Sequence, residues 1–527
     1  MAKQKVSAEK LKEIEELASN WGKIVARRVL DEQDTRAELD LQDMEEITEK
    51  ATAGLTQGVF DALIKAKTEA LGKEQPCPDC QRLCLVETAD RPLFIQGGQI
   101  NFQEPECYCL ACRRDFFPLR VSLRLDNHGY SPTVMCMIVE AVARHGSFAQ
   151  AAGSLSAAKV KISSRHVGRI CLEIGTEMAQ QRDSKVLLHR QQQLHVQVAL
   201  VPKVVAVQVD GGRLRTRAVG CGTGVYDKQN KETKIACLVT LQSEPSKADP
   251  QPLPPPSLLL PRRIKRLVEE IHGKTIGKPE KDTQKGDTAE GGDAGRGGYE
   301  GKAAPRKLVR TCVASMAASH SFGPMVAAEA QERGFYQAQR RAFLGDGAPY
   351  NWAIQQDYFS DFEPIADFLH VLCYVYLGAY AVQSEQNEEA QWGKYVQWLK
   401  ACWQGRVEEV IEELEDWQRR FGKPSDKEKV PALDPRLLVK ESLTYLKNNE
   451  NRMDYPRYRQ QGLPCTSSLV ESLVGQFNTR VKSSRKFWNR NEGSEAILQL
   501  RAAFLSEDNR LPRYFARRPG NPRRSYS

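Results

Sequence analysis

The chain has 527 residues, enough for several domains with cores of their own, and 41% hydrophobic with 27% charged residues is ordinary for globular protein. Seventy-six Lys and Arg against 67 Asp and Glu leave +9, a mildly basic balance that permits a polyanionic partner without demanding one. No run of about 18 apolar residues occurs and the start, MAKQKVSAEKLKEIEE, is charged and helical, so neither a membrane span nor a signal peptide is expected and the reading is soluble and cytoplasmic. Six of the 14 cysteines crowd between Cys77 and Cys112, which points to a metal and not to a disulfide framework.

Residues 1–74 form a helical region. Leu11, Ile14, Leu17, Trp21, Ile24 and Val25 fall at three- and four-residue steps, and Met44, Ile47, Leu55, Val59, Leu63 and Ile64 suggest a second helix, a packing or oligomerisation element. In residues 75–125, Cys77-Pro-Asp-Cys80 and Cys109-Leu-Ala-Cys112 are two CxxC knuckles with strand-like Leu93–Ile95 and Ile100–Phe102 between them. Each knuckle supplies two thiolate corners of a tetrahedron, so the pair closes a structural zinc site of zinc-ribbon type. Cys84 is spare, and Cys107 could substitute for Cys109, although the spacing favours Cys109.

Residues 126–185 read as helix, short helix, turn and helix, the last carrying Arg165, His166 and Arg169 in its first turns. That is the shape of a helix-turn-helix; a plain three-helix core explains the same apolar residues. Lys203–Arg217, KVVAVQVDGGRLRTR, then reads as a buried strand of valines ending on Asp210 and stopped by Gly211-Gly212, a hairpin partner over Leu214, Thr216 and Ala218, and a third strand over Ile235–Leu241. Three strands with an acid at the tip of the first are how a ribonuclease H-like sheet begins. Two divalent ions about 4 Å apart would need two more acids at the same point, for which Asp346 and Glu471 are candidates.

Residues 243–262 are Pro-rich and 273–305 Gly/Lys/Asp-rich, with a short basic helix, Arg262–Ile271, between them, and 243–305 are expected to be a disordered or loosely attached insertion. The core resumes over 306–385, where Ala342–Leu344 turns at Gly345-Asp346-Gly347, placing a second acid at a strand's carboxyl end. Phe362–Tyr380 reads as one long helix containing Asp367 and His370 on a shared face. Residues 386–460 are a helical insertion whose Trp392, Tyr395, Trp398, Leu399 and Trp403 form a core or interface stripe. In 461–507, Glu471 points away from the stripe Val470, Leu473, Val474, Phe477 and Val481, beside Arg480, Lys482, Arg485, Lys486 and Trp488. It could be in surface ion pairs or be a metal ligand at the edge of a phosphate-binding groove. Residues 508–527 read as a flexible basic tail.

The order of these features, with VDGG, LGDGAPYNW, ADFLH and SSLVES followed by RVKSSRKFW, resembles bacterial insertion-sequence transposases of the ISKra family over about residues 75–507. The resemblance implies a multidomain α/β protein: a ribonuclease H-like mixed-sheet core with a helical insertion, plus a zinc ribbon and a helical DNA-binding module. It implies DDE catalysis by Asp210, Asp346 and Glu471 on two Mg²⁺ or Mn²⁺ ions, with Asp367 and His370 as the supporting DxxH pair; the helix-turn-helix shape would put Arg165, His166 and Arg169 on DNA, and the basic run would put Arg480, Lys482, Arg485, Lys486 and Trp488 there. The expected partners are double-stranded DNA and further copies of the chain bound to it, near the bacterial nucleoid and away from membranes. The alternatives are a ribonuclease H-like structure-specific nuclease and an inactive or regulatory zinc-ribbon DNA-binding protein.

Overall fold

The structure, a computed structural model, describes residues 6–31, 39–217, 228–276, 304–425, 427–466, 476–477, 488 and 491–523. The chain is a multidomain α/β protein that divides into two compact units, Met1–Ala141 with Ala149–Ser164 and Pro512–Ser527, and Val142–Phe148 with Arg165–Leu511. Among the described residues no helix is long and apolar enough to cross a membrane.

The first unit begins with α1 (Ala8–Asp31) and α2 (Leu41–Glu69), the latter opened by a reciprocal capping box between Asp40 and Asp43. Strands β1 (Glu74–Pro76) and β2 (Leu83–Leu85) form one antiparallel pair. Strands β3 (Glu87–Ile95), β4 (Gly98–Cys109) and β5 (Arg114–Phe116) form a three-stranded sheet. Ile64 of α2 packs with Leu93, Ile95, Ile100, Phe102 and Leu125, while Gln57 exchanges two 2.9 Å hydrogen bonds with the Asn101 backbone. Helices α3 (Pro118–Leu123), α4 (Pro132–Arg144) and α5 (Phe148–Ala157) follow.

The final residues belong to this unit and correct the expected flexible tail. Pro522 O accepts from Phe117 N at 2.9 Å, Asn521 N donates to Leu125 O at 2.8 Å, and Arg518 meets the Asp126 carboxylate at 2.7 Å. Arg523 pairs with Asp79. Carboxylates and orphan carbonyls within the unit thus use the charges and donors that the sequence displays as a basic run.

In the second unit, α6 (Ser164–Arg190) is 27 residues long, far beyond a recognition helix, and the unit boundary after Ser164 separates it from α5. The three helices expected as one module are therefore divided between units. The central sheet has the order β10-β9-β6-β7-β8. β6 (Val204–Arg217) pairs antiparallel with β7 (Lys228–Gln242), and β7 pairs antiparallel with β8 (Arg306–Ser315). On the other edge of β6 lie β9 (Arg340–Gly345) and then β10 (Glu363–Ala366), both parallel to it. Val205, Val207 and Val209 pack with Phe322 and Val326 of α8 (Ser319–Glu332) and Trp352 and Ile354 of α9 (Pro349–Tyr358).

Two strand expectations change here. Gly211-Gly212 does not stop β6: both glycines stay in register, opposite Lys234 and Thr233, so the expected first strand and hairpin partner are one strand. The segment read as the start of a long helix at Phe362 instead contains β10, four residues too short to show a period, before α10 (Phe368–Val382) begins.

α10 packs against α11 (Glu388–Trp403) and α13 (Pro435–Asn449), and α12 (Val407–Phe421) against α13. Tyr395, Trp398, Leu399 and Trp403 are buried, as the stripe implied. Residues 243–276 are packed, a second correction. Tyr395 Oη donates to Leu258 O at 3.0 Å, Trp403 Nε1 to Gln251 O at 2.8 Å, and Arg459 of α14 (Tyr455–Gln460) grips Asp249. The short helix expected over Arg262–Ile271 is present as α7 (Pro261–His272), whose Ile264 and Val268 are buried and which packs against α10. Residues 277–303, the rest of the expected disordered insertion, lie outside the described residues.

Finally α15 (Asn491–Leu505) and its following turn seal the free edge of β8. Gln499 Nε2 donates to Ala314 O at 2.7 Å, and Cys312 N and Arg310 N donate to Ser506 and Glu507 at 3.0 Å each.

Candidate functional site

The ladder registers place three acids in a row. Val209 of β6 pairs with Gly345 of β9, and Gly345 with Ala366 of β10. The next residue on each strand is an aspartate: Asp210, Asp346 and Asp367. Neighbouring strands lie about 4.8 Å apart, so these residues fall side by side, just past the carboxyl ends of β9 and β10 and midway along β6. In open α/β sheets that end, where strand order reverses, is where ligands bind, and here the chain departs in opposite directions from β6 to β7 and from β9 to β10.

Each acid is held differently. Asp346 Oδ1 accepts from Ala348 N at 2.9 Å and from Asn351 Nδ2 at 2.7 Å, and the same Nδ2 lies 3.3 Å from Val209 O. Asn351, fully buried, therefore ties the second acid to the strand bearing the first. Asp367 is fully buried, its N–H donating to Gly345 O at 2.9 Å. It caps α10 through Leu369 N, and its Oδ2 lies 2.6 Å from His370 Nδ1. The expected contact between Asp367 and His370 is present, with the acid at the helix start and not within it.

Asp210 is half-buried and its carboxyl is pushed up to about 6, first by burial and then by repulsion from Asp346; His370 pulls in the opposite direction. Tyr350 reaches the same place. Its Oη would lie 3.1 Å from a Cβ on Gly211, Lys234 stands 5.5 Å over its ring, and burial plus Asp346 and Asp210 raise the phenol. Tyr445 of α13 lines the far side of the Asp346 turn: Gly347 has φ 96°, and a Cβ there would stand 2.5 Å from the Tyr445 ring. Tyr350 and Asn351 sit inside LGDGAPYNW, five residues or fewer from the acid, which was the available signal; Tyr445 had none.

Glu471 lies outside the described residues, as do Arg480, Lys482, Arg485 and Lys486. The chain enters that segment at Cys465 and Thr466, whose carbonyls accept from Phe368 N at 3.0 Å and Gln208 Nε2 at 3.3 Å; within it Gln476 is described, and its carbonyl accepts from Arg501. Trp488 donates its backbone N–H to Arg215 O at 3.0 Å and bridges to Thr216, along the edge of β6 that extends past β9. Arg165 and Arg169 are exposed one turn apart on α6, and His166 is half-buried.

In the first unit Cys77, Cys80, Cys109 and Cys112 have their sulfurs mutually within 4.8 Å. The Cys77–Cys112 and Cys80–Cys109 separations are 3.9 and 3.6 Å, bracketing the edge of about 3.8 Å that a tetrahedron with 2.3 Å metal–sulfur bonds requires. The knuckles are built alike: Gln81 and Arg113, each following the second cysteine, are left-handed (φ 61° and 53°) and donate back to Cys77 O and Cys109 O. The Cys112 backbone N–H, foremost, draws the Cys109 thiol down to about 6, towards the thiolate a metal needs. Cys84 and Cys107 are buried beside the four but are not members of this set, and burial raises both thiols. These four thiols could hold one metal ion.

Neither a protein-family model nor a curated protein matches this chain.

Proposed function

We propose that the chain is a metal-dependent phosphoryl transferase acting on DNA, with a ribonuclease H-like core. Within that class we read it as the DDE transposase of an insertion sequence, in line with the ISKra resemblance. The observation that carries the reading is the row of Asp210, Asp346 and Asp367 across β6, β9 and β10. An antiparallel meander extended by two parallel strands on the first strand's free edge is the sheet such a core needs, and Glu471 is the third catalytic acid.

An all-oxygen donor set suits Mg²⁺ or Mn²⁺, and a carboxyl pushed up to about 6 by burial and then by Asp346 is relieved when a cation joins it. Two such ions, when bound, supply an activated hydroxyl nucleophile and charge stabilisation at the leaving oxygen. The chain's own residues do the positioning. Asp210 and Asp346 would hold the ions, Asn351 and the Ala348 N–H fix Asp346 Oδ1, and Asp367 holds His370 through Nδ1, whose charge bears on Asp210. The Tyr350 phenol stays protonated and can donate to a phosphate oxygen. Zinc at Cys77, Cys80, Cys109 and Cys112 is structural, and Arg165 and Arg169 with the basic segment after Glu471 contact the DNA backbone.

The test uses duplexes carrying the ends of the encoding element, a supercoiled target plasmid and Mg²⁺. Cut ends and joined products are expected. Asp210→Asn, Asp346→Asn and Glu471→Gln should each lower both by about a thousandfold or more while leaving DNA retention intact, and Asp210→Asn should also weaken Mn²⁺ binding measured directly. Cutting without joining would make the protein a nuclease. Absence of any Mg²⁺-dependent cutting would sink the phosphoryl-transfer reading in favour of a regulatory DNA-binding protein.

A further inference from the structure

Among the described residues a face of α1 stands uncovered with a strong apolar pattern, and Leu55, Val59 and Leu63 of α2 are exposed as well. Ile14, Leu17, Trp21 and Ile24 are 50%, 61%, 58% and 53% exposed. They occupy alternating three- and four-residue steps, the a and d positions of a heptad, with Leu11 and Val25 at e and Glu13, Asn20 and Arg27 at g. A lone helix of this length with Gly22 near its middle is marginal in water, so a covering partner is also what would keep it folded.

The charges identify the partner. The first half of α1 carries Glu9, Glu13, Glu15 and Glu16 against Lys10 and Lys12, and the second half carries Lys23, Arg27 and Arg28 against Asp31. The helix is acidic and then basic. Parallel copies would set like on like; antiparallel copies set each acidic half on a basic half.

We propose that α1 pairs antiparallel with α1 of a second copy of this chain, about an axis near Ser19. Ile14 then faces the partner's Ile24, and Leu17 faces the partner's Trp21, the alternation of a with d that an antiparallel seam requires. Leu11 meets the partner's Val25 on one flank, and Glu13 meets the partner's Arg27 on the other. Within its own helix Glu13 touches Lys10 at 2.9 Å, with both side chains more than 60% exposed, a pair weak enough to exchange. This pairing needs neither DNA nor the acidic row, so it stands or falls independently of the proposed function.

Sedimentation of the full-length protein without DNA, from about 1 to about 50 µM, tests it, because a self-association must depend on concentration. The mass should rise to twice 59.3 kDa. Leu17→Asp should return it to one copy, with metal content unchanged and helix content lowered by no more than the 24 residues of α1. Glu13→Lys and Arg27→Glu should each weaken the dimer about tenfold, since each variant makes two like-charge contacts. The double variant should regain wild-type affinity within about threefold. A single-copy mass throughout, as α1 folding back on α2 or awaiting another protein would give, overturns the proposal. So does a dimer indifferent to Leu17→Asp, or one in which the double charge reversal is no better than either single change.

Discussion

Asp210 is the residue on which charge, burial and the proposed metal binding meet. Its carboxyl titrates near 6 in the folded protein against an ordinary value near 3.8, so between those values the native state holds a proton that the unfolded chain has released. Stability therefore falls as pH rises from about 4 through about 6 and stays lower above, in contrast to a salt-bridged aspartate. Asp210→Asn should raise the melting temperature of the second unit at pH 8 in chelator, by the equivalent of roughly 1–3 kcal/mol, with the gain vanishing near pH 4. Added Mg²⁺ should stabilise the wild type and leave the variant unmoved. Calorimetry at the two pH values reads both effects, and equal melting of the two proteins at pH 8 would show that the buried charge costs nothing.

At the scale of elements, the site depends on how two strands end. The Gly345-Asp346-Gly347 turn holds its acid because Gly347 takes φ 96° and its missing Cβ leaves room for the Tyr445 ring. Gly347→Ala should cost about 2–4 kcal/mol and reduce metal binding, by combining left-handed strain with a clash against a buried ring. Gly393→Ala, in α11 with nothing within 4 Å of its Cβ, should instead gain up to about 1 kcal/mol. Thermal unfolding of the two variants with opposite signs is the check. Asp210 and Asp346 were legible because each follows an apolar run and borders glycines, although only Asp346 follows a strand's end, and the CxxC spacing made the four-cysteine cluster legible for the same local reason. The role of Asp367 was not: β10 is four residues long, and only its register against β9 reveals the third place in the row. The continuity of β6 was hidden because glycines read as breakers, whereas here their ladder partners on β7 keep them in the strand. The packing of residues 243–260 runs through their backbone carbonyls to Tyr395 and Trp403, which no hydropathy pattern records.

At the scale of the whole molecule, the chain's last stretch returns to close the unit in which the cysteine cluster sits, joining sequence-distant segments in one cooperative body. Arg518 compensates Asp126, whose side chain is only 5% exposed, and Arg523 pairs with Asp79, between the ligands of the first knuckle. Gly520 passes so close to Arg120 O that any Cβ would collide with it. A chain ending at Arg517 would lose the backbone hydrogen bonds to Phe117 and Leu125 and leave Asp126 without its guanidinium, a loss of about 3–5 kcal/mol, because a stranded buried charge keeps its desolvation cost while losing its partner. For a unit of this size that is a fall of about 2–4 °C per kcal/mol in its melting transition, with faster release of metal to a chelator. Adding Asp126→Asn to the shortened chain should recover part of the loss, since it removes the stranded charge, whereas in the full-length protein the same change should destabilise by stripping Arg518 of its partner. Opposite signs for one substitution in the two backgrounds would establish that the closing contact is electrostatic; the same sign in both would show that the carboxyl-terminal residues act on this unit through backbone packing alone.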